Sequence, residues 1–488
     1  MKIAFINPPY FPRFSRESRS PGVAKSGTLY YPMFLSYAAG TAEADGNEIL
    51  LLDAPAMCLS KEAVLENLKE FKPGLIVCLT STPSIINDLQ FVKIAKEALQ
   101  KPIALMGTHA TAEPLETLNS EPALDFCIIG EADYTIRNLI RHLRGDGAEN
   151  LADIAGLAWR KNGSTDFQPQ GQKIQNLTEL PWVSKVYHKH LYNCYKKYFY
   201  GANLNPLVVI LAGRGCPYRC TYCVLPQTMN GHVYRKREPQ DVVNELEFIK
   251  ENFKELGEVF FEDDTFTADK ENVKAICEEI LKRNLKITWS CNARADVPLD
   301  LLLLMKQAGC REMCVGFESA SADVLNGIRK GLKQSGAIPF MLNAKKAKIF
   351  VHGCFMVGNL GDTKETLEDT LKYAKELSPN TAQFYPIMAY PGTVAYKEAI
   401  ESGALSSKDY SQWLDKDGHH RTTISRPGLS SQDLVDFCDR ARREFYLRPK
   451  YLIKQSVLAI FNSGERKRLI RGFGTFYKHL FRKHGEVN

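Results

Sequence analysis

The chain has 488 residues, 63 basic and 56 acidic, for a net charge of +7. A surplus this small, spread along the chain, is too mild to mark a nucleic-acid-binding protein, while 44% hydrophobic residues are enough for globular cores. The length suggests two to four domains. The opening Met1–Asn7 is too short an apolar stretch for a signal peptide, and no run of about 18 or more apolar residues follows. Thirteen cysteines without such a signal fit a reducing compartment, so a cytoplasmic protein is expected.

Residues 1–145 alternate short apolar runs with amphipathic segments. Strands are predicted at Lys2–Asn7, Glu48–Asp53, Gly74–Thr80, Pro102–Gly107 and Asp125–Gly130, and helices at Ser60–Phe71 and Ile86–Gln100. Apolar runs of this kind belong to strands covered on both faces, which predicts an α/β fold with a doubly wound, Rossmann-like parallel sheet. Ligands bind such sheets beyond the carboxyl ends of the strands. Asn7, Asp53, Thr80–Ser84 with Thr82 and Ser84, Gly107 to His109, and Gly130-Glu131 stand at those ends. The polar stretch Tyr10–Tyr31, with Arg13, Arg16, Arg19 and Lys25, is a long loop over that edge, read either as a lid or as a surface loop.

Residues 146–203 read as a linker with a strand at Gly156–Arg160 and a turn at Asn162-Gly163. The aromatic and basic stretch Tyr187–Tyr200 reads as a solvated face, with a substrate mouth as the alternative. From residue 204 to 395 the βα rhythm resumes, with strands at Leu207–Ala212, Gly257–Glu262, Lys286–Asn292, Glu312–Phe317, Ile349–Met356 and Ala382–Met388. Six strands with intervening helices predict a partial, TIM-like (β/α)6 barrel, whose chemistry would sit at the carboxyl ends of its strands.

The first of those ends carries Cys216, Cys220 and Cys223, spaced Cys-x3-Cys-x2-Cys. Soft sulfur ligands select zinc, copper(I) or an iron–sulfur cluster. Three cysteines fall one short of a closed zinc set, and His232 is the only histidine close in sequence. On a four-iron cluster the same three thiolates leave one iron open. The other strand ends carry Glu262-Asp263-Asp264, Arg294, Glu318-Ser319 and Gly358, residue types that suit an ammonium group, a carboxylate and ribose hydroxyls. Each carboxylate is alternatively a helix cap, Asp264 above all. Cys291, Cys310, Cys314 and Cys354 read as packing residues.

The cysteine run, with Tyr222 before its last thiol, resembles the signature of the radical S-adenosylmethionine (SAM) superfamily. The resemblance implies a [4Fe–4S] cluster on Cys216, Cys220 and Cys223 whose open iron chelates SAM. Reductive cleavage of SAM would then give a 5′-deoxyadenosyl radical, with an electron donor such as flavodoxin or ferredoxin. It implies Glu262, Asp263 and Asp264 near the SAM amino group, Arg294 at its carboxylate, Glu318 and Ser319 at its ribose and Gly358 by adenine. Residues 1–145 are similar to the cobalamin (B12)-binding domain that precedes many such barrels, which implies corrin contacts from Asn7, Thr82, Ser84, Gly107, His109, Gly130 and Glu131. One departure stands out: there is no Asp-x-His-x-x-Gly motif, so His109 is not read as an axial ligand.

Residues 396–488 are expected to form a mainly helical extension, with a helix over Ser430–Phe445 opened by Ser430. Gly464–His484 is basic and aromatic, read as a docked terminal helix with a solvated basic face or as a peripheral contact with an anionic membrane. The expected activity is methyl transfer from cobalamin to an unactivated carbon or phosphorus of a small molecule or lipid-linked intermediate. The alternatives are a non-methylating radical cyclase and, from a different class, a zinc-stabilised binding protein. A methylthiotransferase is disfavoured, because residues 1–145 carry no second cysteine set and no RNA-binding module is evident.

Overall fold

The structure is a computed structural model and describes residues 1–148, 150–161 and 163–470. Asn162 of the predicted turn and residues 471–488 of the basic C-terminal stretch lie outside the described residues.

The first sheet is built from β1 (Lys2–Asn7), β2 (Glu48–Asp53), β3 (Leu75–Thr80), β4 (Ile103–Gly107), β5 (Phe126–Ile128), β6 (Leu157–Lys161) and β7 (Ser164–Phe167), in the order β2-β1-β3-β4-β5-β6-β7. β1 to β5 are parallel, as their uninterrupted apolar runs demand. Alternation along each strand feeds two cores. Ile3, Phe5 and Val77 pack towards the helices Met33–Ala44 and Ala132–Arg144, while Ala4, Ile6 and Cys78 pack towards Lys61–Phe71 and Ile85–Leu99. The hairpin expected inside the linker instead extends this sheet, with β6 antiparallel to β5.

The stretch Tyr187–Tyr200 also differs from its solvated reading. Tyr187, Tyr195 and Tyr198 are buried, Tyr198 stacks on Tyr31 with ring centroids 3.7 Å apart, and its hydroxyl donates to Asp53 at 2.7 Å. Tyrosine buries a large apolar ring when its hydroxyl finds an acceptor, so a run rich in tyrosine and lysine forms a wedge between the two halves rather than a wet face.

The second sheet comprises β8 (Leu207–Ile210), β11 (Glu258–Phe261), β12 (Trp289–Ala293), β13 (Cys310–Glu318), β14 (Phe350–Val357) and β15 (Thr381–Pro386), with the short ribbon β9 (Gly213–Arg214) and β10 (Arg235–Lys236) after β8. All six are parallel, in the order β15-β14-β13-β12-β11-β8, and the sheet is open between β15 and β8. The helix Ser431–Tyr446, capped by Ser430 and Asp433 as expected, packs on the β15 edge. There the Tyr446 hydroxyl accepts from Ala382 N and donates to Ala382 O, satisfying that residue's edge groups. Residues 463–470 are helical and close the amino-terminal end of the barrel, where Arg311 joins Glu258 and Glu465, each at 2.8 Å. No helix among the described residues is long and apolar enough to cross a membrane.

The two sheets are clamped together by buried ion pairs. Arg214, two residues before Cys216, donates to Asp133 at 2.6 Å, and Arg235 holds Glu131 bidentately. Both pairs are nearly inaccessible to solvent.

Candidate functional site

The cysteine loop follows β8 and is shaped by its backbone. Gly215 has φ +91°, and a Cβ there would overlap Val233 O, so glycine alone lets the loop close. Gly215 N donates to Asp264 Oδ2 at 3.1 Å and Asn230 Nδ2 to the same oxygen at 2.9 Å. Gln227 Nε2 donates to the carbonyls of Cys220, Thr221 and Cys223 at 3.2, 3.1 and 2.9 Å. Cys216 is buried and Cys220 and Cys223 are half-buried. Burial pushes the Cys223 thiol up to about 12, against the pull of nearby Arg19, and raises Cys216 against a hydrogen bond from Thr265. Thiols so placed give up their protons to a metal when one binds.

The spacing of these thiols bears on which metal. Among the described residues, only Cys314, His352 and Cys354 bring three ligand atoms within 4.8 Å of one another. The motif sulfurs therefore stand wider apart than a single ion gathers its ligands, as suits a multi-iron cluster. His232 faces backbone, with Nδ1 3.3 and 3.1 Å from the carbonyls of Cys216 and Tyr218, and completes no zinc set.

The strand-end residues divide by what they touch. Glu262 is half-buried and receives Tyr200 Oη at 3.2 Å and Asn292 Nδ2 at 3.3 Å; burial raises its pKa while Arg19 opposes. Asp263 is fully buried with both oxygens occupied, by Ala212 N at 3.0 Å and Tyr234 Oη at 2.8 Å, and burial pushes it up to about 7. Asp264 caps the cysteine loop rather than a helix, and its buried Oδ1 has no hydrogen-bond partner among the described residues. Arg294 stacks on Tyr218 at 3.5 Å and donates to Lys330 O at 2.8 Å; its buried Nε lies 3.9 Å from Asp296 Oδ2 and has no hydrogen-bond partner among the described residues. A carboxylate oxygen and a guanidinium nitrogen with hydrogen-bonding capacity left over, both flanking the cysteine loop, fit a zwitterionic ligand such as SAM.

Glu318 ends β13 in a left-handed conformation, φ +62°, beside a register shift. Strain of this kind persists where the surroundings fix it. Here Lys330 Nζ at 2.7 Å and the hydroxyls of Tyr222 and Tyr385 at 3.0 and 3.1 Å hold the carboxylate. Ser319 turns away, with Oγ 3.3 Å from Thr370 Oγ1. Gly358 has φ +85° and abuts Leu434, and its carbonyl accepts from Arg426.

At the first sheet the polar strand ends form one network. Arg16 is fully buried, donates to Asp88 through Nε and Nη2 at 3.1 and 2.6 Å, and reaches Asn7 Oδ1 at 2.8 Å. Asn7 in turn donates to Asp53, and Ser84 to Asp88 at 2.6 Å. The loop Tyr10–Tyr31 is therefore an anchored strap, neither lid nor mobile surface. Its Arg19 crosses to the barrel, donating to Asp263 O at 3.0 Å and lying 3.8 Å from Glu262.

Thr82 pairs with His109 Nδ1 at 3.2 Å, and Tyr410 stands edge-on to that ring. Gly107, φ +125°, lies against Thr80 O, and the Gly130 Cβ position is filled by Gln170. Glu131, expected at a ligand, is taken up wholly by Arg235 and Ile174 N. With Nδ1 held by Thr82, His109 keeps Nε2 as its other ring nitrogen, and the small and polar residues around it suit the edge of a corrin.

Burial holds the His109 imidazole at about 4, against 6.5 in the unfolded chain. Below 6.5 the unfolded chain takes up a proton that the folded chain refuses until about 4, so this contribution is intact above 6.5 and lost across that window. His109→Gln should therefore lose about 2 kcal/mol less than the parent between pH 7 and pH 5, read by urea unfolding at each pH.

Comparison with known proteins matches this arrangement. Residues 19–140 match the B12 binding domain model and residues 210–374 the radical SAM superfamily model. The chain is a radical SAM enzyme with a B12-binding domain, and its cofactors are a [4Fe–4S] cluster, SAM and cobalamin. Proteins named as methyltransferases and as cyclases both resemble it over most of its length. It is 29% identical over 456 residues, 93% of this chain and 94% of the other, to the uncharacterized methyltransferase PH0819 of Pyrococcus horikoshii. It is 28% identical over 464 residues, 92% of this chain and 71% of the other, to the anaerobic magnesium-protoporphyrin IX monomethyl ester cyclase of Cereibacter sphaeroides. In fold it is similar to the radical SAM methyltransferase TsrM of Kitasatospora setae, solved with cobalamin and a [4Fe–4S] cluster, at TM-score 0.71 and 16% identity over 92% of this chain and 89% of that one.

Sequence reasoning missed the groups that converge from a distance. Arg19, Tyr200, Lys330 and Tyr385 reach Glu262 or Glu318 from separate elements, and no spacing along the chain announces them.

Proposed function

We propose that the chain transfers a methyl group to an unactivated carbon or phosphorus of a small molecule or lipid-linked intermediate. The observation that carries this reading is the meeting of the two sets of strand ends, where Arg19 from the first sheet lies on Glu262 and Asp263 beside the cysteine loop. When bound, the cluster, SAM and cobalamin supply the electron, the hydrogen-abstracting radical and the methyl carrier. The chain's share is placement. Cys216, Cys220 and Cys223 hold the cluster. Glu262 and Asp264 face the SAM ammonium, Arg294 its carboxylate and Glu318 its ribose. Gly107, Gly130 and the Thr82–His109 pair border the corrin. A flavodoxin or ferredoxin type of donor supplies electrons, and the buried Arg16 layer and Tyr410–Trp413 keep water from the strand ends.

The test is anaerobic incubation of the reconstituted enzyme with methyl-labelled SAM and separated lipid and small-molecule extracts. Label in a product fraction, with 5′-deoxyadenosine, supports methyl transfer. Deoxyadenosine with an unlabelled, oxidised or cyclised product supports the second reading, which the cyclase relative favours.

Gly316 gives a sharper check of the Glu318 assignment. A Cβ at 316 would overlap Glu318 Oε1 and come within 2.7 Å of Lys330 Nζ. Both are ends of flexible side chains, so the fold survives and the pair shifts. Gly316→Ala should bind SAM roughly tenfold more weakly, about 1.4 kcal/mol, with unchanged circular dichroism.

The lipid-linked option has its own support. On the helix Pro449–Phe461, Ile453, Val457, Ile460 and Phe461 are exposed, Phe461 to 84%, and the exposed charges from 449 to 470 (Lys450, Lys454, Arg466 and Lys467) are all basic. This combination suits an anionic lipid surface. Co-flotation with phosphatidylglycerol vesicles is expected, and Ile453→Asp/Phe461→Asp should abolish it.

A further inference from the structure

The inner wall of the barrel carries a second set of metal ligands that the cluster motif does not use. Along β13 and β14 the odd-numbered residues Met313, Val315, Val351 and Phe355 are buried in the surrounding core. The even-numbered Cys314, Gly316, His352 and Cys354 are less buried and face the lumen. Cys314 is registered opposite His352, and Gly316 opposite Cys354, so the three side chains are neighbours on one face of adjacent strands. Packing alone was the expectation for Cys314 and Cys354, and it suits the fully buried Cys291 and Cys310 better.

We propose that Cys314, His352 and Cys354 bind a single zinc ion, with a fourth coordination position left open for a donor atom of the substrate. The two sulfurs are 3.6 Å apart, and all three ligand atoms lie within 4.8 Å of one another. Two thiolates at about 2.3 Å from a tetrahedral zinc stand roughly 3.8 Å apart, so the pair needs little movement to bind. It is far wider than the roughly 2.05 Å of a disulfide.

His352 is prepared for the task. Its Nδ1 lies 2.7 Å from Thr381 Oγ1, which fixes the ring. Gln383, opposite Cys354 on β15, hydrogen-bonds the same ring, and a zinc ion taking that nitrogen would displace it. Two sulfurs and an imidazole select zinc over the hard cations. Among the described residues no fourth His, Cys, Asp or Glu joins the group. Three protein ligands with one open position characterise zinc that handles a ligand rather than zinc that merely braces a fold.

The site lies close to the chemistry. Cys354 is level with Gly316, and the register shift that follows sets Glu318 opposite Phe355, the next residue on β14. A thiolate, alkoxide or carboxylate of the substrate on the open position would be held within the barrel below the SAM site. That use of the open position rests on the radical methyl-transfer reading; binding of the ion does not.

The experiment is metal analysis and zinc X-ray absorption on the cluster- and cobalamin-loaded enzyme after one equivalent of zinc. The expected result is one zinc beside four irons, with two sulfur neighbours and one imidazole nitrogen. Cys314→Ser/Cys354→Ser should lose the zinc and keep the four irons. His352→Gln, a milder change, should weaken zinc at least tenfold in competition with a chromophoric chelator. Absence of zinc, an all-sulfur shell, or zinc retained by both variants would overturn the site. Failure of methyl transfer with zinc still bound would instead count against the functional reading alone.

Discussion

Cys220→Ala is expected to erase the chemistry while sparing the fold. Cys220 is half-buried in a loop held by Gln227, Asp264 and Gly231 through contacts that do not use its sulfur. Alanine therefore costs little packing. The Cys220 carbonyl still receives Gln227, and the loop keeps its course. What is lost is one of only three thiolates that the motif offers to a four-iron cluster. Loss of an outer-shell partner alone costs a metal site about 10- to 100-fold, and loss of a ligand costs more. After anaerobic reconstitution, iron per chain should fall well below four and 5′-deoxyadenosine formation more than about 100-fold, with unchanged circular dichroism. Cobalamin binding should persist, because its domain is separate in sequence. A variant that kept four irons and cleaved SAM would sink the assignment of the cluster to this loop.

Arg235→Met is expected to give the largest loss of stability. Arg235 donates to both oxygens of Glu131 and to the carbonyls of Ile174 and Asn230, joining the ribbon after the cysteine loop to the first sheet. Its side chain and that of Glu131 are 5% and 2% exposed. Removing the guanidinium leaves a buried carboxylate whose remaining hydrogen bond among the described residues is from Ile174 N at 3.3 Å. Breaking such a pair on one side typically costs about 3–5 kcal/mol, whereas removing both charges costs far less. Urea unfolding of Arg235→Met, Glu131→Gln and the double variant should show the double variant recovering much of the loss. If the single and double variants were equally destabilised, packing of the arginine stem rather than its charge would be the cause.

Much of the fold was legible in the sequence because parallel strands covered on both faces must be apolar throughout. The limits of β1 and β2 follow the apolar runs residue for residue. The partners of β6 and β7 were not legible, because a hairpin signal specifies the turn and says nothing of the sheet that receives it. Tyr187–Tyr200 misled for a related reason: its lysines speak for solvent, while its tyrosines find acceptors far away in sequence, such as Asp53.

The site shows the same division. The cysteine motif is local, so it was readable. Glu131 stands at a strand end as a ligand residue would, yet its partner Arg235 lies 104 positions away and turns it into a clamp. Cys314 and Cys354, 40 residues apart, become neighbours only through strand register.

The closure of the barrel floor sets an order of events during synthesis. Arg311 lies on β13, yet one of its three carboxylate partners, Glu465, is 154 residues further along. All six strands can leave the ribosome while that guanidinium still has only Glu258 and nearby Glu312 for company. Until residues 463–470 arrive, the lower mouth of the barrel stays wet and its charges solvated. A nascent chain halted before residue 463 should therefore hold a loosened barrel open to chaperones and proteases, and its final compaction should coincide with the docking of Glu465.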